Sequence, residues 1–596
     1  MLDDRNHHNS RESSHDANAP IWLTLIIFAG VGIGIYLLIN RLHVRKEQLI
    51  EIAIYLVCLA GAIYSVVMYR QRYKERARKS KPRSTFSIRH DRRQRNIKKA
   101  NERDSVVAGY DVTTGKPVLW PDEVRTMGAN LIGRSGSGKS TFMRNLIMQD
   151  AMRVVEINGR LRHLPIMLVD GKGDQEFANT IMEDMASIGR LQDVRLLDPS
   201  RSDLSVRYNA LEKGRNESCE EHVNFIMESL GLAQDFFKGH QATYFTDLVR
   251  VLDHTRSVYN IYDVLVMAFD PRNINDQIDK AIYYAENTSG VTQQQRLSLS
   301  MSIHNLRESL QDNDRVQKIQ GLLDPLMAFL EEDLAVLTGS YDQLLTLTDV
   351  FDQDLILIVT LNANSNERAV PALGRILLKN LQLMVGKRYS RENRMLGMPM
   401  ASIILDEFAS FAFPTFPRIL ETARGASVSV IFSLQSIAQL ASVSPAFRDH
   451  IAATPNTIML MQSWDPASAE CFQRAAPNVL VESLTETVED RGWFGKKYAA
   501  SGKALSRPVE EPLVGEKQIG SLPRGQMHML MADPRGEPRY SHLIVPTPNR
   551  ALSPCFVPTV YPPIPGSNWL VPNGANLRFK DSGPVRRAGR LGGRRS

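Results

Sequence analysis

Eight residues from Gly133 to Ser140, Gly-Arg-Ser-Gly-Ser-Gly-Lys-Ser, fit the pattern G-x-x-x-x-G-K-[ST]. They follow the apolar pair Leu131-Ile132 and precede a helical pattern, the context in which such a loop cradles phosphate. The glycines let backbone N–H groups crowd around an anion. Lys139 then reaches the β and γ oxygens of a nucleoside triphosphate, and the Ser140 hydroxyl ligates Mg²⁺. Gly133, Arg134, Ser135, Gly136, Ser137, Gly138, Lys139, Ser140 and Thr141 are the expected nucleotide contacts. Thr141 opens the following helix, whose positive dipole end favours the anion.

Hydrolysis needs a second element, a buried strand that ends in carboxylates. Residues 400–407, Met-Ala-Ser-Ile-Ile-Leu-Asp-Glu, supply one. Asp406 is the expected Mg²⁺ ligand and Glu407 the group that orients or deprotonates the attacking water. A competitor stands at Leu168-Val169-Asp170-Gly171-Lys172-Gly173-Asp174, where Asp170 also ends an apolar strand. It has no adjacent second carboxylate, so the catalytic pair is assigned to Asp406 and Glu407.

These motifs need a sheet to carry them. Apolar runs of strand length recur at 166–169, 194–197, 355–361, 401–405, 428–432 and 457–461, several separated by helical stretches. The pattern predicts an α/β fold with a largely parallel, buried sheet, a P-loop ATPase core. Between 216 and 347 the strand pattern lapses. Val223, Ile226, Met227 and Leu230 repeat at helical spacing, as do Phe245, Leu248 and Leu252, which predicts an inserted all-α domain whose apolar stripes are core. The nucleotide-binding domain therefore spans 101–215 and 348–545.

The ends of the chain differ from its middle. Residues 20–40 carry no charge, and 52–69 are a second uncharged run. Together they predict a transmembrane helical hairpin within residues 1–69. The formal charge is +7, yet positions 70–99 alone hold 14 Lys or Arg against Glu75 and Asp91. The positive charge is thus local. The collar at 70–100 is expected to be a juxtamembrane linker that keeps this end cytoplasmic, although Arg41, Arg45 and Lys46 in the short connecting loop bias the first span the other way. Anionic lipid headgroups and nucleic acid both suit such a collar. Cys58, Cys219, Cys471 and Cys555 form no C-x-x-C pair, which argues against a zinc ribbon or a disulfide scaffold and for a reducing compartment. The tail, 546–596, is rich in Pro, Gly and Arg and is expected to be disordered.

Two apolar spans, a glycine loop, a helical insertion and a late Asp-Glu strand together resemble the coupling proteins of type IV secretion, the TraD/TraG/TrwB group. Asp170-Gly171-Lys172-Gly173-Asp174 resembles that family's second strand end, and Tyr208-Asn209-Ala210-Leu211 its Asn-Pro-Leu element, with Ala210 in place of the proline. Ile404 to Phe408 matches its Walker B motif, and Ile519 to Gly525 resembles a late signature. The resemblance implies a RecA-like fold, similar also to the FtsK and HerA translocases, in a membrane-anchored homo-hexamer with nucleotide between subunits. It implies that Gln435 senses the γ-phosphate and that Arg424 reaches a neighbour's γ-phosphate as an arginine finger. A pair with Glu421 on the same helix is the alternative for Arg424. The loop between the spans is much shorter than the family's periplasmic segment.

The implied function is a coupling ATPase of the bacterial inner membrane, multi-pass, with the ATPase domain in the cytoplasm. Its cofactors are ATP and Mg²⁺. Its partners are single- or double-stranded DNA, a relaxase or relaxosome, the secretion-channel proteins and the membrane. A receptor for secreted protein effectors and an FtsK-like duplex translocase are the alternatives. The latter needs a sequence-reading winged-helix module for which the Pro/Arg tail leaves no room.

Overall fold

The computed structural model describes residues 90–547, apart from 213–217, 232–237, 256–257, 289, 331, 342–343, 363–367, 391–396, 491–497 and 534. The chain divides into two compact units, Met1–Arg83 and Ser84–Ser596. Both expected membrane spans, most of the basic collar and nearly all of the tail lie outside the described residues. No helix among those described is long and apolar enough to cross a membrane.

Fifteen strands are described: β1 (Ser105–Asp111), β2 (Pro117–Pro121), β3 (Ala129–Ile132), β4 (Val154–Ile157), β5 (Arg160–His163), β6 (Ile166–Asp170), β7 (Val194–Leu197), β8 (Ile356–Thr360), β9 (Ala401–Asp406), β10 (Val428–Leu434), β11 (Thr457–Leu460), β12 (Asn478–Asp490), β13 (Tyr498–Pro512), β14 (Gln526–Ala532) and β15 (Pro538–Ile544). Eleven form one sheet in the order β2-β1-β15-β14-β11-β3-β10-β9-β6-β8-β7. From β11 to β7 every pairing is parallel. All six apolar runs read from the sequence are strands of this part.

The continuous apolar runs follow from burial on both faces. Successive residues on a strand point to opposite sides. Leu131, Leu168, Ile404, Ile431 and Met459 pack on one side, with Phe142, Met143 and Leu146 of helix Lys139–Ala151 and Ile181, Met182 and Met185 of helix Gln175–Ser187. Their neighbours Ile132, Val169, Leu405, Phe432 and Leu460 join the other core.

That second core also holds the helical stretch. Between β7 and β8 the longer elements are the helices Cys219–Ser229, Lys238–His254, Ile261–Phe269, Pro271–Asn287, Gln293–Ser309 and Arg315–Met327. Val223, Ile226, Met227, Phe245, Leu248 and Leu252 are buried in it, as their spacing predicts. Their cluster is contiguous with the sheet's Leu357, Val359 and Ile403, so the helical stretch packs directly on the sheet. Asn209 marks the entry to it: its Nδ2 donates to Tyr259 O at 2.8 Å, and its Oδ1 accepts from Leu211 N at 2.9 Å.

Three features depart from the sequence reading. The stretch expected to be linker through residue 100 is helical from His90 to Asn101. Ile97 and Ala100, three apart on one helix face, are buried there against Val107 and Tyr110, a periodicity that the surrounding basic residues hide. The antiparallel flank β2-β1-β15-β14 and the hairpin β12/β13 were not anticipated either.

The flank contains a pair of imidazoles, His528 buried and His542 half-buried. His528 on β14 sits 4.7 Å from the His542 ring, and its Nδ1 lies 2.7 Å from the Tyr540 hydroxyl. Burial, with His542 beside it, pushes His528 down to about 3. A histidine depressed on folding contributes stability that is present above its unfolded value, about 6.5, and is lost as pH falls toward 3. His528→Gln is therefore expected to flatten the acid limb of stability by up to about 1.4 kcal/mol per pH unit in that window. Urea unfolding at pH 7 and pH 4 measures this, and parallel acid losses in both proteins would contradict it.

Candidate nucleotide site

The glycine loop leaves the end of β3 and enters helix Lys139–Ala151, as its sequence context requires. Gly136 and Gly138 have φ of 77° and 116°, a backbone region that side chains disfavour. Gly133 admits no Cβ, which would lie 2.8 Å from Met461 Cβ. The start of the loop is pinned from two sides: Gly133 N donates to Leu434 O at 3.1 Å and Arg134 N to Gln462 O at 2.9 Å. Ser135, Gly136 and Ser140 are exposed, and Ser137 and Lys139 are buried.

Lys139 Nζ donates to Gly133 O at 2.5 Å and to Arg134 O at 3.4 Å. Burial lowers its proton affinity, the nearby Asp406 and Glu407 oppose that, and Lys172 adds to it. The acidic pair is thus brought near Lys139, although residue 139 and residue 406 lie far apart in sequence. The strand order does this: β10 separates β3 from β9, and all three end on the same rim.

Around the acidic pair the hydrogen bonds are specific. The Ser433 hydroxyl, at the end of β10, donates to Asp406 Oδ1. Glu407 N donates to the same oxygen at 2.9 Å, and Glu407 takes the left-handed conformation, φ 51°. Gln435 Nε2 then donates to Glu407 Oε1 at 3.0 Å. Asp406, Glu407, Ser433 and Gln435 therefore form one network beside Lys139. Ser433 was missed by sequence reasoning, yet a lone hydroxyl in the run Val430-Ile431-Phe432-Ser433-Leu434, just before Gln435, is a visible signal.

Asp170 lies opposite Asp406 in register on the neighbouring strand. Its two oxygens are taken by Lys172 N at 2.9 Å and Asp174 N at 2.6 Å. Burial pushes this carboxyl up to about 6 against those bonds, and Asp406 pushes the same way. Asp170 braces a turn, whereas Glu407 faces Gln435.

Arg424 is elsewhere. It follows helix Pro417–Ala423 and precedes the start of β10, whereas Gln435 follows the end of that strand, about 20 Å away at the usual rise per residue. The expected pair with Glu421 does not form. Arg424 Nη2 lies 3.5 Å from Glu123 Oε1, and Glu421 Oε1 faces His450 Nε2 at 3.3 Å. Glu421 turns toward His450 because helix Pro445–Ala453 presents that ring, a tertiary neighbour that helical spacing does not reveal. The chain's own pocket thus receives no arginine from this position.

A second group of contacts reaches the loop from β11 and the turn before β14. Gly525 N donates to Ser137 O at 2.8 Å. The Arg134 guanidinium lies 3.9 Å over the Trp464 ring, and Trp464 Nε1 donates to Gly520 O at 3.2 Å. The segment 519–525 thus packs on the glycine loop.

Residues 401–524 match the family model described as the TraM recognition site of TraD and TraG. The match begins on β9, includes Asp406, Glu407, Arg424, Ser433 and Gln435, and ends at Arg524. It bears out the resemblance to TraD/TraG/TrwB coupling proteins drawn from the motifs. Solved structures similar to the chain include the bacterial conjugative coupling protein TrwBdeltaN70 in an unbound form, at 15% identity and TM-score 0.48, covering 78% of this chain and 94% of that one. Plasmid coupling protein TrwB in complex with ADP and Mg²⁺ has 16% identity and TM-score 0.48, covering 77% and 95%. VirB4 of Thermoanaerobacter pseudethanolicus has 12% identity and TM-score 0.43, covering 74% and 96%. No curated protein matches the chain.

Proposed function

We propose that this chain is a coupling ATPase of a conjugative type IV secretion system, which links relaxase-bound DNA to the transfer channel and moves it by ATP hydrolysis. The observation that carries this reading is the family match over 401–524, whose first strand delivers Asp406 and Glu407 to the glycine loop. The residues fit the nucleotide and its ion. The loop offers glycines in left-handed backbone and a buried lysine, and Ser140 with Asp406 offers the hard oxygen ligands that Mg²⁺ takes alongside phosphate.

In this reading Lys139 and the loop N–H groups hold the β- and γ-phosphates. Ser140 and Asp406 hold Mg²⁺, which when bound neutralises developing charge on phosphate oxygens. Glu407 accepts the proton of the attacking water, and Ser433 fixes Asp406 so that the two carboxylates do not exchange roles. Gln435, bonded to Glu407, couples that carboxylate to the end of β10 and so to whatever the terminal phosphate does. Arg424, distant from its own pocket, serves a neighbour's in a hexameric ring of RecA-like domains.

The collar at 70–100 binds DNA backbone irrespective of sequence, and the two apolar runs anchor the ring in the inner membrane with the ATPase in the cytoplasm. Substrate choice lies with relaxosome partners, and the exposed part of segment 401–524 serves a TraM-type protein. The test is ATP turnover by the full chain with and without single-stranded DNA. Stimulation that fades steeply with salt is expected. Stimulation by protein cargo alone would replace this reading with that of an effector receptor.

A further inference from the structure

A second lysine stands on the rim that carries the acidic pair, and the hydrolysis chemistry above does not use it. Lys172 lies two residues past Asp170, in the turn Gly171-Lys172-Gly173 between β6 and helix Gln175–Ser187. This turn is rigidly made. A Cβ on Gly171 would lie 2.5 Å from the Phe411 ring and 3.0 Å from Glu407 O, so the backbone here is pressed against the residue after the Walker B aspartate. Gly171 N also donates to Asp406 O at 3.0 Å. Gly173 has φ +72°, and a Cβ there would lie 2.8 Å from Asn362 Cα. Asp170 clamps the turn from inside, with one carboxylate oxygen on Lys172 N and the other on Asp174 N. The backbone of Lys172 is therefore fixed relative to Asp406 and Glu407.

Its side chain is placed against its local interest. The ammonium is exposed and, among the described residues, has no hydrogen bond or ion pair. It sits just before the N-terminus of helix Gln175–Ser187, the end where a positive charge is disfavoured. The two acids nearest in the chain are engaged elsewhere, Asp170 on the backbone of the turn and Asp174 in capping Phe177 N at 3.0 Å. Lys172 is also close enough to Lys139 to disfavour the charge on that buried ammonium. A cation fixed beside another cation and a helix N-terminus is balanced once an anion enters between them.

The strand order says which anion and which part of it. Along the rim run β3, β10, β9 and β6, so Lys139 and Lys172 flank the acidic pair from opposite sides, with their strands about 14 Å apart. In the ATPase reading the polyphosphate starts at the glycine loop that follows β3 and its terminal phosphoryl faces Asp406 and Glu407. We propose that Lys172 is a second cation for the terminal phosphoryl group of the triphosphate, supplied by the same chain that provides the glycine loop. This rests on the ATPase reading and deepens it.

In the reaction the water oxygen bonds to the γ-phosphorus. The bond from that phosphorus to the β,γ-bridging oxygen breaks with its electron pair left on ADP, and Glu407 takes the water proton and returns it to the released phosphate. Lys172 exchanges no proton. It offsets the charge on the transferring group's outer oxygens, while Lys139 serves the β–γ bridge side.

The two nucleotides differ only in the group that Lys172 contacts, so binding reads the proposal apart from turnover. The full-length protein, its Lys172→Met variant and its Lys172→Arg variant are titrated calorimetrically with the β,γ-imido analogue of ATP and with ADP, each with Mg²⁺. For Lys172→Met the imido analogue is expected to bind about tenfold more weakly while ADP stays within about twofold, and kcat to fall about a hundredfold. Lys172→Arg is expected to recover part of both losses. Unchanged ADP affinity also certifies that the Met variant is folded. Equal weakening of both nucleotides, or no change in either, overturns the role of Lys172 and leaves the ATPase reading standing. Failure of the unaltered protein to bind either nucleotide overturns the ATPase reading itself.

Discussion

Lys139→Ala is expected to lose triphosphate affinity by on the order of a hundredfold or more, because a desolvated ammonium hydrogen-bonded to phosphate is among the strongest single contacts a binding site can offer. The side chain is buried at the loop's centre, and its present acceptors, Gly133 O and Arg134 O, are backbone carbonyls of the loop itself. Removing it takes away a cation that burial already disfavours, so the fold is expected to persist and the loss to be confined to ligand binding. Calorimetric titration with ATP and Mg²⁺, alongside a melting curve, measures both quantities. Full affinity in the folded variant would strip the glycine loop of its phosphate role, and with it the motor interpretation.

The second large effect is expected at Glu407. Its exchange for glutamine preserves shape and leaves Lys139, Ser140 and Asp406 in place, so nucleotide affinity is expected to stay within about threefold. The amide cannot accept a proton, and loss of a positioned general base lowers turnover by about 10² to 10⁴. Two features orient the Glu407 carboxylate. Its left-handed backbone turns the chain sharply after β9, and Gln435 Nε2 fixes one carboxylate oxygen at 3.0 Å. A Gln435→Ala control keeps the carboxylate but loosens it, which separates proton transfer from orientation. Undiminished turnover in Glu407→Gln would move suspicion to Asp174, whose carboxylate is in use as a helix cap.

The contrast between Asp406 and Asp170 shows how far reading the chain alone carries. Each ends a fully buried strand, and each was a candidate metal ligand. The second carboxylate at Glu407 favoured the later site; in the structure Asp170 spends both oxygens on its own turn, while Asp406 bonds to Ser433 and Glu407 to Gln435. Arg424 shows the opposite case. Helical spacing offered Glu421 as its partner, but His450 on another helix takes that carboxylate and Glu123 takes the arginine. Side-chain pairing across elements depends on which helix packs alongside, and spacing within one helix says nothing about that.

The helix at His90–Asn101 was obscured in a different way. Charge composition marked the segment as a solvated collar, and its buried contact with β1 is made by just Ile97 and Ala100, beside a hydrogen bond from Asn96 Nδ2 to the Tyr110 hydroxyl. A single buried face of that size is lost in a run of lysine and arginine. The hairpin β12/β13 and the flank of β1, β2, β14 and β15 alternate polar and apolar residues too irregularly to separate from loops.

The sequence by itself determined the glycine loop, the adjacent carboxylates and the strands that carry them, because each depends on residues adjacent in the chain: glycines where backbone must turn, apolar runs where both faces are covered, carboxylates at the end of such a run. Tertiary structure decided which strand ends meet on one rim, and thereby brought Ser433 to Asp406, Gln435 to Glu407 and Lys172 to the flank opposite Lys139. The physical reason is that strand order is fixed by how two faces of a sheet are covered by helices from distant parts of the chain, an interaction that no local spacing encodes.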